Sequence, residues 1–180
     1  MLRVGILIVL IVGSSLALAQ DPKQKLIQEA VLPLPEPLRD TATVVMYDEA
    51  GARTVLKEGS SEIICQADDP KPGFSVSCFH RSYEPHLTQS RKWASEGKGR
   101  EEIVQLRYVA MKDGKLPAPK AGTAQYTLQG DDAVGATSLL VIYLPNATAE
   151  STGLSTTPDN FRPWLMRAGT EWAHVMIPGN

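Results

Sequence analysis

Three side chains that can bind a metal ion lie close together near the middle of the sequence. His80, Glu84 and His86 fall within one short stretch, and His174 near the C-terminal end could complete a site. Imidazole nitrogens and carboxylate oxygens are ligands of transition metals, and a histidine can also act as a general base near neutral pH. These residues are compatible with a metal-dependent hydrolase that uses His80, His86 and His174.

The same residues also have a purely structural interpretation. The spacing H-x-x-x-E-x-H is not an established ligand pattern, and Pro85 constrains the turn between Glu84 and His86. Acidic residues are common at helix starts for electrostatic reasons alone. The sequence shows no nucleophile paired with a base. We therefore expect a non-enzymatic domain that binds a ligand or a partner, without a cofactor, and the metal-dependent hydrolase is the alternative.

Four aromatic residues cluster towards the C-terminal end of the sequence: Tyr143, Phe161, Trp164 and Trp172. Aromatic side chains combine a large apolar surface with, in Tyr and Trp, one polar group, and they often line small-molecule pockets. They also close hairpins over a sheet as ordinary core residues. The set predicts either a pocket for a small apolar or sugar ligand or a part of the hydrophobic core.

The chain contains two cysteines, Cys65 and Cys78. The residues between them are rich in Asp, Pro and Gly, so this stretch can turn and bring its ends together. There is no C-x-x-C spacing and no second cysteine pair, which argues against a thiolate metal or redox site. In an exported chain we expect a disulfide, which for a loop of this size stabilises the fold by about 3 kcal/mol.

Residues 1–19 have the pattern of a secretory signal peptide. Arg3 supplies a positive charge, residues 4–12 form a short apolar core, and small residues precede Gln20. The apolar core is shorter than the about 20 residues that cross a bilayer. No cysteine stands at the cleavage point to accept a lipid. We expect cleavage after Ala19 and a secreted or periplasmic protein with no membrane insertion afterwards.

The balance of charges limits the partners. The chain has 18 basic and 20 acidic residues, and its net charge is −2. A mildly acidic protein with scattered Lys and Arg lacks the basic surface that nucleic acids or anionic membranes require. The expected partner is an unknown small molecule or a protein of the cell envelope.

Hydrophobic patterns along the chain predict an α+β fold. Residues 20–37 are expected to be a proline-rich lead-in, with a short helix over residues 21–30 and an extended stretch over residues 32–37. A single domain follows over residues 38–180. This domain should contain an antiparallel or mixed sheet with two helices inserted mid-chain, although the second helical run also alternates acceptably as a strand. The predicted helices are residues 21–30, 83–96 and 101–112, and the predicted strands are residues 41–47, 53–58, 62–67, 74–79, 124–128, 139–144, 164–167 and 173–177.

Several short motifs carry a resemblance that covers nearly the whole chain after the predicted signal peptide. They include Pro37-Leu38-Arg39, Leu56-Lys57-Glu58-Gly59, Cys78-Phe79-His80, Val141-Ile142-Tyr143-Leu144-Pro145 and Pro163-Trp164-Leu165-Met166. Together they resemble a family of uncharacterised secreted bacterial proteins. The resemblance implies an exported bacterial domain, and it brings no activity, cofactor or catalytic residue.

Overall fold

An eight-stranded mixed sheet forms the centre of the computed structural model, which describes residues 21–49, 51–69 and 71–179. The predicted signal peptide lies outside these residues. The strands are β1 (Thr43–Tyr47), β2 (Arg53–Lys57), β3 (Ile63–Gln66), β4 (Phe74–His80), β5 (Ala124–Gly130), β6 (Thr137–Tyr143), β7 (Trp164–Met166) and β8 (His174–Pro178). The α-helices are α1 (Pro22–Ala30), α2 (Glu36–Arg39), α3 (Glu84–Ser95), α4 (Arg100–Lys112) and α5 (Ala149–Thr152).

The strands follow the order β2-β1-β3-β4-β5-β6-β8-β7 across the sheet. Neighbouring strands are antiparallel except β1 and β3, which are parallel. The chain between β2 and β3 must therefore cross the end of β1 to reach its other edge. Gly59 makes this crossing possible, because a Cβ there would collide with the backbone of residues 41–43.

Two layers of helices cover the sheet, one on each face. Successive strand residues point to opposite faces, so Val45 and Ile64 pack under α3 and α4, whereas Val44 and Cys65 pack towards α1. The faces therefore have separate apolar cores. The α3–α4 side also carries most of the buried aromatic side chains, which are Phe79, Tyr83, Tyr143 and Trp172.

The disulfide predicted between Cys65 and Cys78 is present. The two residues are directly opposed on the antiparallel strands β3 and β4, and their Cα atoms are 4.0 Å apart. Both are fully buried in the core beside α1. The bond therefore links two central strands of the sheet.

The packed fold begins earlier than the sequence predicts. The lead-in of residues 20–37 was expected to lie outside the compact domain, but Ala30 at the end of α1 is fully buried and Leu34 is only 1% exposed. The chain turns after α1 instead of extending, since Arg39 bonds the carbonyl oxygens of Leu32 and Leu34. The proline-rich stretch is thus a compact link that holds α1 against the sheet.

The other predicted elements appear close to their expected positions. The α+β class is confirmed, and the run that suited either a helix or a strand is the helix α4. The consecutive strands β1–β2 and β7–β8 both form antiparallel pairs. Within the described ranges, no helix is long and apolar enough to cross a membrane.

Candidate functional site

The four predicted metal ligands are not brought together. His80 is exposed at the end of β4, where its Nδ1 lies 2.8 Å from the Ser82 hydroxyl. Glu84, at the start of α3, pairs with Arg53 at 3.1 Å. Since Phe79 points towards α3 and α4, the adjacent His80 points to the other face of the sheet. Among residues 21–49, 51–69 and 71–179, no group of three or more His, Cys, Asp or Glu side chains is placed to hold a metal ion.

His86 on α3 and His174 on β8 are instead both buried, each with its own backbone partner. His86 is fully buried, and its Nε2 donates to the carbonyl oxygen of Pro117 at 2.7 Å. His174 is 7% exposed, and its Nδ1 donates to the carbonyl oxygen of Trp172 at 2.7 Å. Because a carbonyl can only accept, these bonds fix which ring nitrogen of each histidine carries the proton.

The predicted aromatic set divides into two parts. Tyr143 and Trp172 are 3% and 4% exposed and lie in the core under α3 and α4. Trp164 is half-buried on β7, opposite Met176. Phe161 is 85% exposed in the long connection before β7 and does not join the others. The structure therefore places Phe161 outside any pocket shared with Tyr143.

A cavity of about 580 Å³ lies between the helix pair α3–α4 and the β5–β6–β8 part of the sheet. We call it the helix–sheet cavity. Its apolar wall comes from both helices and the sheet and consists of Leu87, Ala94, Ile103, Val104, Val141, Met166 and Met176. Its polar lining consists of Ser90, Arg91, Lys98, Arg100, Arg107, Gln125, Tyr143, Arg167, Trp172 and His174.

Stacked aromatic and imidazole rings form the floor of this cavity and the layer behind it. Tyr83 stacks on His86, with ring centroids 5.1 Å apart, and it lies at the same distance from Tyr143. Tyr143 in turn contacts His174 at 5.3 Å, and His86 lies 6.1 Å from Trp172. These five rings connect α3 to β6 and β8, so they fix the floor in position.

The floor is polar, and burial favours its uncharged forms near neutral pH. Burial raises the pKa of Tyr83 and raises that of Tyr143 well above its usual value. Burial lowers the pKa of both His86 and His174, and the nearby arginines Arg107 and Arg167 lower them further. The hydrogen bonds to backbone carbonyls act in the opposite direction but are weaker than burial at His86 and His174.

Arg107 is the arginine that contacts this floor. It is half-buried on α4, its Nε donates to the Ser90 hydroxyl at 2.5 Å, and its guanidinium lies 4.7 Å from the Trp172 ring centroid. The Ser90 hydroxyl in turn donates a hydrogen bond to the backbone carbonyl oxygen of His86 at 2.6 Å. Arg107 is therefore held in place by the Ser90 and Tyr83 hydroxyls and an aromatic face, and in the described part of the chain it pairs with no carboxylate.

Other basic residues surround the opening. Arg167 donates to the Tyr108 hydroxyl at 3.0 Å and lies 5.8 Å from the Trp172 ring centroid. Arg91 stacks on the Tyr47 ring and bonds the Gln66 side chain. The lining of the cavity contains no Asp or Glu in the part of the chain that the structure describes. All Asp, Glu, Lys and Arg side chains that line the cavity are therefore positively charged.

A second recess of about 350 Å³ lies on the other side of Arg91, beside Tyr47. Its lining includes the acidic residues Asp48, Glu49 and Asp69 together with Lys71 and Arg91. The charges of this recess therefore compensate one another. This recess has neither the uniformly positive lining nor the long apolar wall of the helix–sheet cavity. The helix–sheet cavity is therefore the stronger candidate for a binding site.

One sequence pattern around Arg107 points to its role. Ile103, Arg107, Ala110 and Met111 follow one another at helical spacing, so Arg107 lies within the apolar face of α4. A lone arginine on the buried face of a helix needs a partner, and this requirement could have identified it. Gln125 lies on β5 and Arg167 directly follows β7. Polar residues are common at such positions, so the sequence did not single out either of them.

Within the described residues, two buried donors of the cavity lining make no hydrogen bond of normal geometry: an Nη of Arg91 and the Nε1 of Trp172. Trp172 is only 4% exposed. Buried polar groups are normally satisfied, and those that are not often mark a site for a ligand or an ordered water.

Comparisons with protein-family models, with curated proteins and with solved structures found no match to this chain.

Proposed function

We propose that this chain is an exported, non-enzymatic domain that binds a small molecule in the helix–sheet cavity. The cavity volume of about 580 Å³ lies within the range of pockets that hold drug-sized ligands. Its apolar wall and the polar groups that converge on the same space are also found together in such pockets. The ligand would lie between α4 and the β6–β8 strands, above the aromatic floor.

The observation that carries the proposal is the buried polar floor. Tyr143, Trp172 and His174 are all less than 10% exposed, and yet each lines an open space. Polar groups in a core without a full set of partners destabilise the fold by about 1–3 kcal/mol each. A ligand that accepts a hydrogen bond from Trp172 would remove part of that cost.

A binding role also agrees with the hydrogen bonds of Ser90. Its hydroxyl donates to a backbone carbonyl and accepts from Arg107, and no imidazole is bonded to it. A serine nucleophile needs a neighbouring base to take its proton. Ser90 is placed to orient Arg107.

Export is supported by two observations. The pattern of residues 1–19 is that of a signal peptide, and the Cys65–Cys78 disulfide is typical of proteins in oxidising compartments. Expression with the native N-terminus in a bacterial host, followed by cell fractionation and intact mass spectrometry, tests this part. Cleavage after Ala19 and recovery outside the cytoplasm are expected. A product that begins at Met1 and stays in the cytoplasm would contradict export.

The binding role is tested by filling the cavity. Val104→Trp places an indole into the apolar wall, whereas Val109→Trp adds the same group on the same helix at a position that is 55% exposed and outside the cavity. Thermal shift with a panel of amphipathic small molecules measures binding to the wild type and both variants. We expect ligands that stabilise the wild type and Val109→Trp to lose their effect on Val104→Trp.

A structural control distinguishes a filled cavity in Val104→Trp from a misfolded protein. Near-UV circular dichroism should show that Val104→Trp keeps its tertiary structure. Equal stabilisation of Val104→Trp and Val109→Trp by every ligand found would place binding elsewhere. If no compound of the panel stabilises the wild type, the binding proposal fails.

A further inference from the structure

We infer that the ligand of the helix–sheet cavity is an anionic amphiphile, with one carboxylate, phosphate or sulfate group on an apolar body. This inference rests on the proposed binding role and adds the chemical class of the ligand. The charged group would bind Arg107 on the cavity floor, with Arg167 at the opening, and the apolar body would lie along α4 and β6.

The first argument is the distribution of charge. The whole chain is slightly acidic, with a net charge of −2. The cavity nevertheless has five basic residues in its lining and, within the described residues, no acidic one: Arg91, Lys98, Arg100, Arg107 and Arg167. Such a local excess of one sign attracts ligands of the opposite sign.

The second argument is that the nearby carboxylates are already engaged. Glu102 bonds Lys98 at 2.7 Å and Glu84 bonds Arg53 at 3.1 Å. Arg107 and Arg167 form no salt bridge with any carboxylate in residues 21–49, 51–69 or 71–179. A half-buried guanidinium without a counterion is unfavourable. A bound anion would supply the missing charge.

The third argument concerns geometry. The Nε of Arg107 is bonded to Ser90, and the plane of the guanidinium is near the Trp172 ring. These contacts and the neighbouring Tyr83 hydroxyl restrict the guanidinium, which can offer Nη N–H groups to the oxygen atoms of an anion. The Trp172 Nε1–H lies near the Tyr143 hydroxyl but makes no hydrogen bond of normal geometry with it, and it lines the same cavity, so it provides a further donor. Carboxylate, phosphate and sulfate groups all present oxygen atoms suited to these donors.

The fourth argument is the apolar wall, which a bare inorganic anion would leave in contact with water. Leu87, Ile103, Val104, Val141 and Met176 line the cavity on the side of the helices and the sheet. Each methylene group buried there tightens binding about fourfold. The favoured ligand therefore has a chain or ring system attached to its charged group.

The test uses a set of eight-carbon probes that differ in the head group. Octanoate and octyl sulfate are anionic, 1-octanol is neutral, octyltrimethylammonium is cationic, and acetate supplies the head group alone. Isothermal titration calorimetry at low ionic strength compares their affinities for the mature protein. We expect the two anionic probes to bind about tenfold to hundredfold more tightly than 1-octanol, the range of a charge-assisted hydrogen bond. Acetate and the cation should bind far more weakly than octanoate.

Variants then locate the head group. Arg107→Gln should reduce octanoate affinity to that of 1-octanol and leave 1-octanol binding unchanged, and Arg107→Lys should restore part of the preference. Arg162→Gln is the matched control, because it removes the same charge from a side chain that is 84% exposed and paired with Asp159. If Arg107→Gln does not fold, Arg167→Gln at the opening provides the second test and should weaken octanoate binding selectively.

The outcomes distinguish the two proposals. Equal affinities of octanoate and 1-octanol for the wild type would overturn the anionic class while leaving the binding role in place. Preserved octanoate preference in both Arg107→Gln and Arg167→Gln would also overturn it. Failure of every eight-carbon probe to bind would instead count against the proposed function itself.

Discussion

The buried histidines make a prediction about how stability depends on pH. His86 and His174 have lowered pKa values in the folded protein, chiefly through burial. In the unfolded chain a histidine has a pKa of about 6.5. Below that pH the unfolded chain binds protons that the folded protein does not, so the free energy of unfolding falls as the pH falls. The stabilisation is fully present above about pH 6.5 and is lost on acidification.

The structure explains why protonation is unfavourable at His86. Its Nε2 already donates to Pro117, and its Nδ1 is buried without a partner. A second proton would place an unpaired N–H and a positive charge next to Tyr83, within the field of Arg107. At His174 the facing groups are the Tyr143 ring and Arg167. Neither histidine has an acidic neighbour that would stabilise its charged form among these contacts.

The magnitude follows from linkage. Each histidine contributes at most about 1.4 kcal/mol for each pH unit below its unfolded pKa, until its folded pKa is reached. Between pH 7.5 and pH 5.5 the two together should lower the free energy of unfolding by up to about 2.7 kcal/mol. Most carboxylates of an unfolded chain titrate below this range, so the histidines dominate it.

Urea unfolding followed by circular dichroism measures this dependence. His86→Phe keeps a ring against Tyr83 but cannot ionise, and it should remove about half of the pH dependence whatever its effect on stability at pH 7.5. His174→Phe should remove a similar part. The control is His80→Gln, which changes an exposed histidine outside the cavity. A free energy of unfolding that stays constant or rises from pH 7.5 to pH 5.5 would refute the reasoning.

Two further predictions concern the sheet. Replacing both cysteines, Cys65→Ala with Cys78→Ala, should lower the free energy of unfolding by about 3 kcal/mol in urea titrations; a loss below about 1 kcal/mol would show that the bond contributes little. Gly59→Ala should cost about 2 kcal/mol or more, because its Cβ meets the backbone of residues 41–43. Gly99→Ala is its control, since a Cβ there meets nothing within 4 Å, and equal melting temperatures for the two variants would contradict the crossing argument.

Local patterns were sufficient to predict most elements of this fold. The strands β1 to β4 each combine β-branched or aromatic residues with flanking turn residues, and these signals act over a few positions. The place of β3 in the sheet was not predictable in this way. Residues 58–62 could have returned the chain beside β2, and only the close approach of Gly59 to residues 41–43 shows that it crosses to the far side of β1.

The helix α1 was predicted, but its packing against the sheet was missed for a related reason. Three prolines within residues 32–37 argued for an extended chain, but proline also fits the first turn of a helix and tight turns. Arg39 decides between these options by bonding two carbonyl oxygens of the turn. Such a contact depends on the folded geometry, so the sequence pattern alone could not favour it.

The helix–sheet cavity is built from residues far apart in the sequence. Ser90 on α3 meets Arg107 on α4, and both face Tyr143 and His174 from the sheet. Periodicity assigns each residue to a face of its own element, but it does not show which faces leave a space between them. The metal-ligand set drew attention to His86 and His174 as one site, whereas each of them has its own backbone partner.

The composition of the cavity argues that this region does not serve stability alone. A core formed for stability would place Leu, Ile or Phe where Arg107, Tyr143 and His174 lie, because apolar replacements of buried charged networks are often neutral or stabilising. Here each polar group has a hydrogen-bond partner that fixes its position. Arg107 bonds the Ser90 hydroxyl, Tyr143 the Gln125 side chain, and His174 the Trp172 carbonyl. Residues that break the local preference for an apolar core, and that are nevertheless held in fixed positions, are expected where a protein binds something.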